Sequence, residues 1–183
     1  VEEFTQVFPT LGVAPSQRTV AYVGYDRRNI YVAVRCYDDH PEAILAHNIR
    51  RDTIVAGDDW VMVTLDTLFD RRTGYNLLVN PISLRRDSRV EEDLAVRGEW
   101  DAIWDSRAHV DAQGWSVEMV IPIASLSVNP DSETWGFNIV RQVGRTQEQS
   151  RWANVSQNSE GFDIARLGTL GGLRGLDRGK GIE

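Results

Sequence analysis

The sequence predicts an all-β protein: an antiparallel β-sandwich of jelly-roll type with one or two short helical turns. Three observations carry this. Apolar and polar residues alternate at period two through most of the chain, the spacing at which successive side chains reach opposite faces of a strand. Turn signals such as "DRRN", "DRRTG" and "DAQG" interrupt the alternation at short intervals. Helix signals are confined to two brief stretches. Short strands with few helices pack as two antiparallel sheets, each burying one face and leaving the other open to a partner.

The elements follow in order. "RTVAYVGYD" alternates, meets "DRRN", and runs at once into "IYVAVRCYDD", which predicts a hairpin over residues 19–25 and 30–37. "HPEAILAHNIRRD" offers one short helical turn opened by Pro41. "DDWVMVTLD" and "GYNLLVNPISL" predict a second strand pair, residues 60–66 and 74–84, joined by "FDRRTGY" with Gly74 at a special backbone angle. Residues 87–104 are acid-rich and have no clean period, so a loop excursion with at most a helical turn is expected. "SRAHVDAQGWSVEMVIP" predicts a third pair, residues 106–110 and 115–121, and "PIASL" a one-turn segment at 122–126. Strands at 135–143, 150–156 and 165–172 complete the series. The expected organisation is a single sandwich domain over 1–172 and an extended or mobile Gly-rich tail over 173–183.

Bulk properties narrow the function. The 183 residues suit one domain with a full core, and 42% apolar with 26% charged residues is ordinary for a globular chain. A net charge of −7 leaves no basic face to neutralise phosphates, which argues against nucleic acid as a partner. No run of 18 apolar residues suggests a membrane-spanning helix. The chain opens on Val1 with no signal peptide, as expected of a mature form or a piece of a longer protein whose missing start carried an export signal. Cys36 is the single cysteine, cannot form an internal disulfide, and reads as a small buried hydrophobe. Six Trp is a high count, and Trp either fills a core or offers a flat platform for sugars or partner surfaces.

Parity assigns faces within the second strand pair. Val61, Val63 and Leu65 point to one side as a core face, while Trp60, Met62, Thr64 and Asp66 point to the other. In the partner strand Tyr75, Leu77 and Val79 oppose Asn76, Leu78 and Asn80. A face carrying Trp and Asn can stack a sugar ring and hydrogen-bond its hydroxyls; a covering loop or second layer is the alternative. Acids crowd the turns, and Asp38, Asp39, Asp58 and Asp66 are the set that would supply oxygen ligands to calcium. Turn formation and surface ion pairing account for the same residues without a metal. The Arg pairs at 71–72 and 85–86 either bind a carboxylate or hold loops. Met62 or Met119 with a His would be the axial pair of a haem, but no attachment motif accompanies them. Enzyme signatures are missing: there is no GxSxG, HExxH or Walker loop, and the acids sit in turns rather than as a facing pair. A non-catalytic role is expected.

Four stretches together resemble the family 9 carbohydrate-binding-module-like domain: "TVAYVGYDRRNIYVAVRCYDDHPEAI", "RRDTIVAGDDWVMVTLDTLFDRRTGYNLLVNP", "WDAIWDSRAHVDAQGWSVEMVIPIASL" and "WGFNIVRQVGR". In one large group this domain stands ahead of a predicted outer-membrane β-barrel in bacterial envelope proteins. The resemblance implies a β-sandwich, export to the periplasm or cell surface, and calcium as a candidate cofactor. Sugar-binding members clamp a glycan end between two Trp and hold it with Glu, Arg and Asn. Here the Glu position is Met62 and the Arg position is Leu78, while Asn80 matches the Asn. Trp152, with Asn154 and Asn158, falls near the second wall. The expected ligand face is therefore Trp60, Asn80, Arg85, Asn138 and Trp152, binding glycan by Trp stacking with Asn and Arg hydrogen bonds. The rival expectation is an accessory interaction subunit, its sugar clamp degraded, docked on a membrane-protein complex of the envelope. A haem-binding relative of the same fold is the minor alternative.

Overall fold

Alternation at period two produces a series of short strands from Thr5 to Leu170. The computed structural model describes residues 1–47, 50–52 and 57–177. Its strands are β1 (Thr5–Phe8), β2 (Thr19–Tyr25), β3 (Asn29–Tyr37), β4 (Trp60–Asp66), β5 (Gly74–Val79), β6 (Arg85–Val90), β7 (Val96–Arg97), β8 (Asp105–Asp111), β9 (Gly114–Pro122), β10 (Trp135–Val143), β11 (Glu148–Arg151) and β12 (Gly168–Leu170). They form two antiparallel sheets. The larger runs β1-β11-β10-β4-β5-β6-β7, with β12 also pairing β10; the smaller runs β2-β3-β9-β8. The helical content is short 3₁₀ turns, including Pro41–Ala43 and Ile123–Ser125 where the sequence predicts them. The fold is the expected all-β sandwich, and the three expected hairpins pair as β2–β3, β4–β5 and β8–β9.

The two inner faces meet in one apolar core. Val61, Val63 and Leu65 of β4 and Leu77 and Val79 of β5 pack with Ile30, Val32 and Val34 of β3 and Val117, Met119 and Ile121 of β9. Burying each such side chain contributes about 1.5–3 kcal/mol against chain entropy. Tryptophan goes mostly here: Trp104, Trp115 and Trp135 are buried in the core, and Trp100 and Trp152 pack at its margin. Arg141, on β10, is 1% exposed and joins the sheets. Its guanidinium donates to Arg18 O at 2.9 Å, to Thr19 Oγ1 at 3.1 Å and to Tyr37 O at 2.7 Å, all at one end of the β2–β3 hairpin. Hydrogen bonds to several acceptors are what make a buried guanidinium tolerable. At the β8–β9 turn Gly114 has φ +126°, and a Cβ there would stand 2.1 Å from Cys36 O. Only glycine lets this turn reach β3.

Several boundaries differ from the expectation. Residues 80–84 form a turn rather than the end of β5: Asn80 Oδ1 accepts from the amides of Ile82 at 3.2 Å and Leu84 at 2.9 Å. The expected loop over 87–104 begins instead with the β6–β7 pairing. β6 reads "RRDSRV" and hides its strand character, because its inward Asp87 is buried as a charge. Asp87 accepts from Arg51 Nη2 at 2.9 Å and from the Ala102 amide at 2.6 Å, so no apolar residue marks that face. β1 has no counterpart among the expected strands, and β11 and β12 are shorter than the strands expected at 150–156 and 165–172. In "FDRRTGY" the positive φ angles fall on Phe69 and Arg71, not on Gly74. Gly74 is needed for space: a Cβ would come within 2.7 Å of Leu65 O.

The Gly-rich tail does not leave the sandwich at residue 173. Leu173 is buried in the core at 2% exposure and Leu176 packs against it. The Leu173 amide donates to Glu133 O at 2.9 Å, and the Tyr25 hydroxyl donates to Gly172 O at 2.6 Å. Two leucines among the glycines supply the apolar anchor that composition concealed. Residues 178–183 lie outside the described residues, as do parts of the segment after Pro41. Among the described residues no helix is long and apolar enough to cross a membrane.

Candidate functional site

The outer face of the large sheet carries the candidate site. Registers align side chains into rows across the strands. One row runs Arg86–Leu78–Met62–Val140–Arg151, through the pairs Leu78↔Arg86, Met62↔Leu78, Val140↔Met62 and Val140↔Arg151. Beside it lie Trp60–Gln142–Gln149 on one flank and Ser88–Asn76–Thr64–Asn138 on the other. The row is apolar in the middle and polar at both ends.

A segment of chain partly covers this face. Residues 152–167 return over β10 after β11, and Asn138 fastens them: its Nδ2 donates to Gly161 O at 2.8 Å and its Oδ1 accepts from the Ala153 amide at 2.8 Å. Arg151 holds the same segment through Ser156 O at 3.0 Å and Ser159 O at 2.9 Å, and burial pushes its guanidinium pKa down. A Cβ on Gly161 would lie 2.6 Å from Val140 Cγ2, so the close approach requires glycine. Phe162 then packs against Met62, Leu78, Leu84 and Val140, and Ile164 and Leu167 bury against Val90.

What the cover leaves open is a two-chambered groove. The larger chamber, about 360 Å³, is lined by Trp60, Met62, Gln142, Gln149, Glu160 and Phe162 among others. The smaller, about 170 Å³, is lined by Met62, Asn76, Leu78, Arg86, Ser88, Val96 and Phe162. The two share Met62, Leu78, Arg86 and Phe162. An aromatic face set among amide donors and acceptors can hold a ring-shaped polar ligand.

The sequence-predicted residues fall in different places. Trp60 lines the larger chamber, half-buried. Asn80 and Asn138 are fully buried and bonded to backbone, one in the β5–β6 turn and the other under the covering segment. Arg85 points to the inner side of its strand, donates to Trp104 O and to Asp105 Oδ1, and lies over the Trp104 ring. Its neighbour Arg86 faces the groove instead, since adjacent strand residues alternate faces. Trp152 packs edge-on to Phe137, with ring centroids 5.7 Å apart, at the core margin rather than opposite Trp60. Arg86, Gln142, Gln149, Glu160 and Phe162 were missed. Parity would have found Arg86 and Gln142, because each stands opposite an outer-face residue; Glu160 and Phe162 reach the groove only through the covering segment.

The acids have identifiable roles. Asp38 receives Arg145 Nη1 at 2.7 Å; burial opposes its charge, and the Arg145 and His40 bonds prevail and hold its pKa low. Asp58 meets His47 Nδ1 at 2.6 Å. Asp66 accepts from the amides of Asp70 and Arg71 at 3.2 and 3.0 Å, while burial pushes its pKa up. Asp39 is exposed. Among the described residues no three metal-ligating side chains converge. Met119 is in the core, and no described histidine lines either chamber.

The architecture is a β-sandwich of two antiparallel sheets. Three solved structures share it, each with 93% of this chain covered. A protein from Bacteroides uniformis described as carbohydrate-binding aligns with TM-score 0.70 and 17% identity over 86% of its length. A family 9 carbohydrate-binding module from Caldicellulosiruptor kristjanssonii, in complex with cellotriose, aligns with TM-score 0.65 and 12% identity over 81% of its length. A family 9 module from the same organism with glucose aligns with TM-score 0.62 and 14% identity over 83%. At these identities the likeness is one of fold. No family model matches the chain, and no curated protein matches it.

Proposed function

We propose that this chain is a non-catalytic glycan-binding β-sandwich, exported to the bacterial periplasm or cell surface, that holds sugar in the outer-sheet groove. The observation that carries the reading is Trp60: the one Trp directed away from the core lines a groove with Gln142 and Gln149 beside it. An indole face stacks on the C–H face of a pyranose, and carboxamides hydrogen-bond its hydroxyls in either direction. Met62 replaces the acid expected from the family resemblance, so the polar contacts come from flanking strands. Neutral-glycan arrays followed by calorimetry test this. Binding is expected for the unmutated protein, with a loss of tenfold or more in Trp60→Ala; unchanged binding in that variant removes the site. Running the titration with calcium and with a chelator also tests the acidic turns, since a calcium-dependent melting temperature would assign an ion to them.

A second reading is docking on an envelope protein through the outer face of the small sheet. What favours it is the exposure of Tyr22 at 65%, with Tyr31 and Val120 nearby in register. Failure of all glycans, together with binding to a purified envelope complex that is lost in Tyr22→Ser, would favour this reading.

A further inference from the structure

The smaller chamber holds a cation and no acid, and we infer that it receives the anionic group of an acidic sugar. This rests on the glycan-binding reading and specifies the sugar class. Arg86 lines both chambers, and among the described residues it is the only cation that does. Other arginines of this surface are engaged: Arg71 donates to Leu167 O and Arg151 to the covering segment. Arg86, facing the same outer side, makes no ion pair or side-chain hydrogen bond with a described residue. An unpaired guanidinium against Met62, Leu78 and Phe162 lacks an acceptor where its solvation is reduced.

Two neighbours of Arg86 also offer donors. The Thr64 hydroxyl donates to Asn76 Oδ1 at 2.8 Å, which fixes the amide so that Nδ2 is left as a donor. Asn76 is paired across the strands with Ser88, whose hydroxyl also lines the chamber and takes no partner among the described residues. No acid lines this chamber; Glu160 lines only the larger one. A guanidinium fork, an amide N–H and a hydroxyl line one chamber with apolar walls, donors of the kind that recognise a carboxylate or sulfate oxygen. About 170 Å³ corresponds to roughly five or six waters at about 30 Å³ each, enough for a charged substituent while its ring lies toward Trp60.

The test is calorimetric titration with three oligosaccharides of one backbone: neutral, uronate-bearing and sulfated. Tighter binding of either acidic sugar, by roughly tenfold as expected for hydrogen bonds to a charged group, upholds the inference, and the tighter of the two names the anion. Arg86→Gln is then expected to abolish the preference, bringing acidic-sugar affinity down to that of the neutral sugar in the same variant, and a preference that survives in Arg86→Gln overturns the inference. If that variant does not fold, Ser88→Ala serves instead, with the ratio of acidic-sugar to neutral-sugar affinity falling several-fold; an unchanged ratio overturns the inference. Equal binding of all three sugars overturns the inference and leaves the glycan reading standing. Absence of any sugar binding overturns both.

Discussion

Cys36 shows how one buried group reports on the fold. It lies on the inner face of β3, opposite Thr19, with 0% exposure. Burial pushes its thiol up to about 11 from an ordinary 9.0. The thiol therefore stays protonated and unreactive at neutral pH. Alkylation by iodoacetamide at pH 8 is expected to fail in the folded protein and to go to completion in denaturant. A folded pKa above the unfolded one gives a contribution that is whole below the unfolded value and lost as pH rises through the folded one. Stability should thus decline from pH 9 to 11, and Cys36→Ala should flatten part of that slope, as read from urea midpoints.

The covering segment after β11 is the element that makes a groove out of a sheet face. Without it, Met62, Leu78 and Val140 would form an open apolar strip; with it, Phe162 closes one side and Gly161 sits on Val140. Asn138 carries both of the bonds that pin Ala153 and Gly161. Asn138→Ala should cost about 1–3 kcal/mol, the penalty for leaving buried backbone groups unpaired. Chemical denaturation measures the loss, and limited proteolysis should then cut first within residues 153–161. The sequence places Asn138 on the expected ligand face; in the structure it fastens the segment that walls the groove. The polar strand β6 makes the complementary point, since Arg86 and Ser88 reach the groove from a strand whose alternation is masked by the buried Asp87.

At the scale of the molecule, two distant attachments keep the sheets together. Arg141 ties β10 to the end of the β2–β3 hairpin, and the C-terminal leucines close the core from the other side. Leu173→Ala should lower stability by about 2–4 kcal/mol through lost burial and a residual cavity. Urea denaturation is the measure, and an effect below about 0.5 kcal/mol, as at an exposed site, would mean that the tail does not contribute to the sandwich. Groove ligand affinity should hardly change, because the groove lies on the opposite face of the large sheet.

By itself, the sequence determined the all-β class, the three hairpins and which face of β4 enters the core. Those depend on local alternation and turn residues, which are read along the chain one strand at a time. It also marked Trp60 correctly as an outer-face residue. Only the tertiary structure decided which polar residues meet there. Asn80, Asn138 and Trp152 proved to be engaged in a turn, a wall fastening and the core margin. Arg86 came to the groove from β6, while Glu160 and Phe162 came from a segment folded back from far along the chain. The physical reason is that parity fixes the side of a strand from local geometry, whereas a site is set by registers between strands and by chain that returns over them, and both depend on contacts distant in sequence.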